Sequence, residues 1–420
     1  MPGTGPVIAA SRALLFRALE RITGGRLEVH LPGGAIRSFG DPASDLHAIV
    51  LVHDESVFSR GIRGGDIAFG EAYAEGLWSS PDLVSVVRLA VRNQEIFNAG
   101  ARLPATLSRW IERARHFRHR NSVSGSRANI RYHYDLGTDF YSLFLDPSLT
   151  YSCGVFETPG ATLEEAQRAK LDRIAEKLQL SPGDRLLEIG AGWGAFAIHA
   201  ATRYRCRVTT TTISAAQHAH VRERLDREGL ADRVELLFED YRNLTGRFDK
   251  AVSIEMFEAV GLAYYDDFFS AVDRALEPGG TMLLQTITMN EARFARYLRQ
   301  PDFIRRHIFP GSELASLSEI EKSLARATDM AVMEVEEIGP HYAATLVAWR
   351  ERFLAAADRV RALGFPETFI RMWDYYLAYC QGGFAERYIG DAQILLARQA
   401  VPVRETGRGR VASHVPGPPA

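Results

Sequence analysis

The spacing of apolar positions changes character along the chain. Over VIAASRALLFRALERI, Val7, Ile8, Leu14, Leu15, Phe16, Leu19 and Ile22 recur at helical spacing with Arg12, Arg17 and Arg21 among them. That pattern predicts an amphipathic helix, either packed on its own domain or lying in a membrane interface. RLEVHLP and LHAIVLVHD read as short strands and precede the small-residue, apolar stretch GDIAFGEAYAEGLWSSPDLVSVVRLAVRN, so residues 1–108 predict a small α+β domain. From Thr162 onward helix and strand alternate. Thr162 and Glu165 make a capping box ahead of LEEAQRAKLDRIAEKL, in which Leu163, Leu171, Ile174 and Leu178 share one face. Strand candidates recur at DRLLEIG, CRVTTTTIS, VELLFED, FDKAVSIE and TMLLQTI, separated by helix-like stretches such as AQHAHVRERLDREG. The alternation predicts an α/β fold, a doubly wound and mostly parallel sheet with ligands at the carboxyl ends of its strands. The last third reads as mostly helical, a lid from about residue 290, and residues 401–420 as a disordered Pro- and Gly-rich tail.

Composition narrows the class. A chain of 420 residues holds two or three domains at roughly 150 residues each and needs no disulfide staples. Its 50 Lys and Arg against 52 Asp and Glu give a net charge of -2, with 46% apolar content, which excludes wholesale disorder and gives no global basic excess for nucleic acid. Cys153, Cys206 and Cys380 are widely spaced, which argues against a secreted disulfide framework and a structural zinc site, so a reducing cytoplasm is expected. No apolar run approaches the roughly 18 residues that span a bilayer. The balance is uneven, however. Arg109, Arg113, Arg115, Arg118, Arg120, Arg127 and Arg131 stand against Glu112 alone, with His116 and His119 between them. Residues 109–130 read as a basic linker, a solvated face or a surface for anionic phospholipid headgroups. Nucleic acid is disfavoured, since Tyr132 and Tyr134 lie beyond the arginines.

The sharpest motif is Glu188-Ile-Gly190-Ala-Gly192-Trp-Gly194, which ends one strand candidate and opens a helix. Its glycines allow a tight turn and close backbone approach by a ligand, and the helix start offers unpaired N–H groups. A dinucleotide fold wants an acid about 20 residues on to grip a ribose, whereas the next strand ends in Thr209 to Thr212 and Ser214. The third strand ends at Glu239, Asp240 and Tyr241, suited to an adenine's amino group and ring.

With YHYDLGTDFYSLFLDPSLTYSCGVF, LEIGAGWGAFAIHAA, TTTTISAAQ, EDYRNL, SIEMFEAVG and HIFPG in this order, the chain from about Arg131 to Arg398 resembles the cyclopropane fatty acyl phospholipid synthase family. The N-terminal part resembles the lipid-associated domain of its longer bacterial members. The resemblance implies a Rossmann-like class I methyltransferase fold over residues 131–400 and S-adenosylmethionine against Tyr151, Ser152, Gly190, Gly192, Gly194, Thr212, Gln217, Asp240 and Tyr241. It implies an unsaturated phospholipid as substrate, a homodimer, and peripheral attachment to the inner face of the membrane.

The chemistry so implied sets further demands. A methyl cation placed on an isolated alkene leaves a carbocation, so the site must exclude water, offer aromatic faces and hold a base that takes a proton from the added methyl group. The resemblance implies bicarbonate as that base, held at Cys153, Glu258, Gln285, Ile287 and Tyr342. Two positions depart from the best-known bacterial pattern: Ala259 and Gln285 stand where it has histidines, and Gln carries no charge. The EAVG and Gln combination is similar to plant cyclopropane synthase domains. A weakly held anion would turn the reaction toward a methylated or methylene product. Bland readings remain beside these. Either Glu255 or Glu258 could be a helix-start carboxylate, Tyr342 could anchor a helix, and Cys153 could be an inert buried thiol. Cys380 sits where the family has a labelled nucleophile, but no step above needs a thiol adduct. His116, His119 and His133 lack metal-ligand spacing, and no metal is expected. Some of Phe294, Tyr297, Phe303, Phe309, Trp349, Phe353, Trp373, Tyr375 and Tyr376 should line an acyl channel, the others a core.

Overall fold

The computed structural model describes residues 5–96 and 136–399. The basic stretch 109–130, Arg131 to Tyr134 and the tail from 401 lie outside the described residues.

The N-terminal unit opens with helix α1 (Gly5–Leu19) and folds strands β1 (Arg26–His30), β2 (Ile36–Gly40), β3 (His47–Val52) and β4 (Trp78–Ser79) around helices α2 (Ser56–Ala74) and α3 (Leu83–Arg92). The sheet order is β2-β1-β3-β4, with β1 and β3 parallel and both outer pairings antiparallel. Strand alternation buries Leu27, Val29, Ala48, Val50 and Val52 on one face. On α1 only the C-terminal half packs inward: Phe16 meets Phe39 and Phe58, Leu19 is buried, and Val7 and Leu14 project outward. Helix α2 is broken at Gly65, whose φ of 62° lets the helix bend.

After helices α4 (Gly137–Tyr141) and α5 (Leu163–Lys177), the catalytic unit alternates β5 (Arg185–Ile189), α6 (Ala195–Arg203), β6 (Arg207–Thr211), α7 (Ala215–Glu228), β7 (Val234–Leu237) and β8 (Phe248–Ile254). Helix α8 (Tyr265–Ala275) and strand β9 (Leu276–Met289) complete this alternation. The capping box on α5 is present as expected, with Thr162 and Glu165 each bonding the other's backbone N–H. Strands β5 to β9 pair in parallel, and the chain switches direction beside β5, which lies between β6 and β8. Beyond β9 come α9 (Glu291–Arg299), α10 (Leu317–Ala327), β10 (Met330–Glu337), α11 (Gly339–Ala355), α12 (Ala357–Ala362), α13 (Glu367–Ala385) and β11 (Ile389–Arg398).

The last third is mostly helical, as expected, but two strands within it were not anticipated. Strands β10 and β11 return to the sheet, giving the order β10-β11-β9-β8-β5-β6-β7 with β11 antiparallel to both neighbours. On β11 Ala392, Ile394 and Leu396 make one apolar face, but the polar Asp391 and Gln393 are fully buried on the other, and on edge strand β10 Met333 is 64% exposed, so neither strand shows a simple alternation of buried apolar and exposed polar positions.

The two units share one core. Buried residues of β1, β3, α2 and α3 form one cluster with those of α11 and α13. Around this interior, the Tyr73 hydroxyl donates to Asp374 at 2.6 Å, Arg371 donates to the carbonyls of Tyr73 and Trp78, and Arg88 and Arg92 pair with Glu386. Gly382 brings α13 against α3 so closely that a Cβ there would lie 2.6 Å from Val87 Cγ1.

Candidate active site

At the switch point, β5 runs into the glycine loop and β8 into the segment carrying Glu255 and Glu258. Gly190 has φ 100°, and a Cβ on it would stand 2.9 Å from Met256 Cγ, so the loop needs glycine there to lie against the β8 segment. Gly192 faces the cavity, with nothing within 4 Å of where its Cβ would be. That open wall is the cradle a nucleoside ligand requires. Gly194 does not line the cavity; its left-handed turn starts α6 against Val221. The other residues expected around the cofactor, Tyr151, Ser152, Thr212, Gln217, Asp240 and Tyr241, all line this same cavity. Thr212 donates to the Gln217 side-chain oxygen at 2.8 Å, and Asp240 is clasped by Arg242 at 2.7 Å. Beneath the loop the buried Lys170 ammonium donates to the Ser152 hydroxyl at 2.7 Å, and burial pushes Glu188 up to about 8 and Lys170 down.

The cavity has a volume of about 2070 Å³ and apolar walls for most of its length. From the glycine loop it passes Glu255, Glu258 and Tyr342 and reaches the inner face of the N-terminal sheet at Val29, Val50 and Val52. Among the aromatics singled out in the sequence, Tyr297, Phe309, Tyr375 and Tyr376 reach this wall, whereas Phe303, Trp349, Phe353 and Trp373 pack behind it. The Tyr151 and Tyr376 hydroxyls bond each other at 2.7 Å, and the Tyr151 ring lies 5.1 Å from Trp349 and 6.4 Å from Phe309. Such a group of rings suits a cation in the cavity.

Three of the five residues expected to hold bicarbonate converge, but on a side chain. The Cys153 backbone N–H and Gln285 Nε2 each donate to Glu255 Oε1 at 2.8 Å, and the Tyr342 hydroxyl donates to Glu255 Oε2 at 2.7 Å. Gln285 is oriented in turn by Gln393 Nε2, which donates to its side-chain oxygen at 3.1 Å. Asp391, on β11, is pushed far above the carboxylate range by burial and by Glu255, to which it is hydrogen-bonded. Ile287 does not join this group: its N–H donates to Glu258 Oε1 at 2.6 Å, which also accepts from the Thr286 hydroxyl at 2.9 Å. Glu258 Oε2 has no hydrogen-bond partner among the described residues, and burial together with Glu255 raises Glu258 to about 7. A bicarbonate ion would find its donors committed and a carboxylate in their midst, so the residues present do not fit it. Cys153 contributes its backbone; its thiol is fully buried and pushed up by burial, and the thiol of Cys380, half-buried in the cavity wall, is pushed up as well.

Sequence reading passed over the role of Glu255, together with Asp391. The Glu-x-x-Glu spacing was visible, but the left-handed φ of 47° at Glu255 was not, and this aims its carboxylate at the donors.

Residues 121–394 match the family model described as mycolic acid cyclopropane synthetase. The chain is 36% identical over 415 residues to the tuberculostearic acid methyltransferase UfaA1 of Mycobacterium tuberculosis, covering 95% of this chain and 94% of that protein. It is 39% identical over 357 residues to the cyclopropane-fatty-acyl-phospholipid synthase of Escherichia coli K12, covering 84% and 88% of the two chains. Among solved structures it is similar to the mycolic acid cyclopropane synthase CmaA1 complexed with SAH and CTAB, with a TM-score of 0.61 and 36% identity over 64% of this chain and 98% of that one. With its doubly wound sheet and its glycine loop, the chain is an S-adenosylmethionine-dependent methyltransferase and belongs to the mycolic acid cyclopropane synthetase family.

Proposed function

We propose that this enzyme adds a one-carbon unit from S-adenosylmethionine across a cis double bond in a phospholipid acyl chain and closes a cyclopropane ring. The observation that carries this reading is a continuous apolar cavity, which joins the cofactor loop to the aromatic and carboxylate groups and continues under the N-terminal sheet. An acyl chain threaded along it presents a mid-chain double bond beside Tyr151 and Glu255, and its tail fills apolar space. Tyr151, Phe309 and Tyr376 offer ring faces to the developing cation, and no water competes once the chain is seated.

A second reading is C-methylation of the same double bond to a methylene or methyl branch. It is favoured by the likeness, over almost the whole chain, to a protein named as a tuberculostearic acid methyltransferase. Expression in a host lacking its own synthase, with NMR and mass spectrometry of the extracted lipids, separates the two. Upfield ring-methylene signals are expected. A gain of one methylene unit in mass without those signals, or of that unit plus two hydrogens where a host reductant saturates the product, would establish the second reading, and unchanged lipids would overturn both.

A further inference from the structure

We infer that the carboxylate of Glu255 is the base of this reaction, occupying the place that the family resemblance gives to a bound bicarbonate. The inference rests on the proposed transfer to an alkene and goes beyond it by naming the group that removes the proton. Three observations carry it. Cys153, Gln285 and Tyr342, expected around a free anion, all donate to Glu255, at 2.7–2.8 Å. The backbone of Glu255 sits at φ 47°, a left-handed conformation that a side chain adopts at a cost and that glycine adopts freely. Glu255 lines the cavity beside the aromatic cluster. Glu258 is differently placed: its Oε1 anchors the backbone and hydroxyl of β9.

The step balances without an added ion. S-adenosylmethionine supplies the methyl group, whose new bond is made by the alkene π pair while the carbon–sulfur pair stays on sulfur, leaving the cation on the second alkene carbon. Glu255 takes a proton from the added methyl carbon, and the released C–H pair closes the third ring bond. If a hydride first moves from the methylated carbon to the cationic one, the same proton loss gives the methylene product, so the assignment covers either outcome. The proton leaves Glu255 to water when the product departs.

The test uses the full-length enzyme, phospholipid vesicles with unsaturated chains, and buffer stripped of bicarbonate. Wild-type turnover is expected to be the same with and without added bicarbonate. Glu255→Gln should lower kcat by about 100-fold or more while S-adenosylhomocysteine binding, read by calorimetry, stays unchanged. Glu255→Gly should open the pocket, regain activity on bicarbonate addition, and broaden the NMR line of [13C]bicarbonate, which wild type leaves sharp. Wild-type activity that requires bicarbonate, near-normal turnover of Glu255→Gln, or broadening of the line by wild type would each overturn the assignment. If no lipid is turned over by wild type, the proposed reaction falls, and the [13C]bicarbonate line still decides whether Glu255 fills an anion site.

Discussion

Two carboxylates three positions apart meet opposite treatment in this fold. Glu255 is satisfied by three donors, while Glu258, in the same cavity wall, keeps one oxygen without a partner among the described residues and is raised from 4.5 to about 7, by burial first and Glu255 second. A buried acid that holds its proton more tightly than in the unfolded chain adds stability that is complete below its unfolded pKa and lost as pH rises through its folded one. The window is therefore 4.5 to about 7. Glutamine keeps the oxygen that accepts from Ile287 and Thr286 and cannot ionise. Glu258→Gln is expected to raise stability by roughly 3 kcal/mol at about pH 8 and by little at about pH 5. Urea unfolding at the two pH values checks this; equal effects at both would mean that Glu258 is not neutral in the fold.

At the scale of elements, α13 is the splint between the units, set against α3 through Gly382. Gly382→Val should force the helices apart and cost about 1–3 kcal/mol, read from the denaturant midpoint; an unchanged midpoint would show room that the close approach to Val87 denies. The same elements show what sequence can and cannot disclose. Strands β5 to β9 were legible because buried parallel strands are short apolar runs between helices, and the glycine loop was legible because its turn demands glycine at fixed spacing. Strand β11 was not, because Asp391 and Gln393 point into the protein while their polarity suggests the surface. Their inward position follows from the site: Gln393 orients Gln285 and Asp391 bonds Glu255. The resemblance named Cys153, Gln285 and Tyr342 together but gave no sign that Glu255 stands among them, since that depends on one backbone angle and on donors from positions 153, 285 and 342.

Over the whole molecule, the N-terminal unit and the catalytic unit close around one cavity, and the inner face of the small sheet forms its far end. On the proposed reading that end receives the tail of the acyl chain. Val50→Trp, which fills part of it, should raise KM for long-chain phospholipid several-fold and leave S-adenosylhomocysteine affinity unchanged; equal loss of both would point to misfolding, and loss of neither would place the tail elsewhere. At about 30 Å³ per molecule, a space of about 2070 Å³ holds on the order of seventy waters when no lipid is present. A carbocation cannot survive among them. On the proposed reading the protein provides the shape of a dry chamber without the dryness, and the substrate's own hydrocarbon tail acts as the desiccant, so the chamber becomes fit for the chemistry only when the molecule to be modified has sealed it.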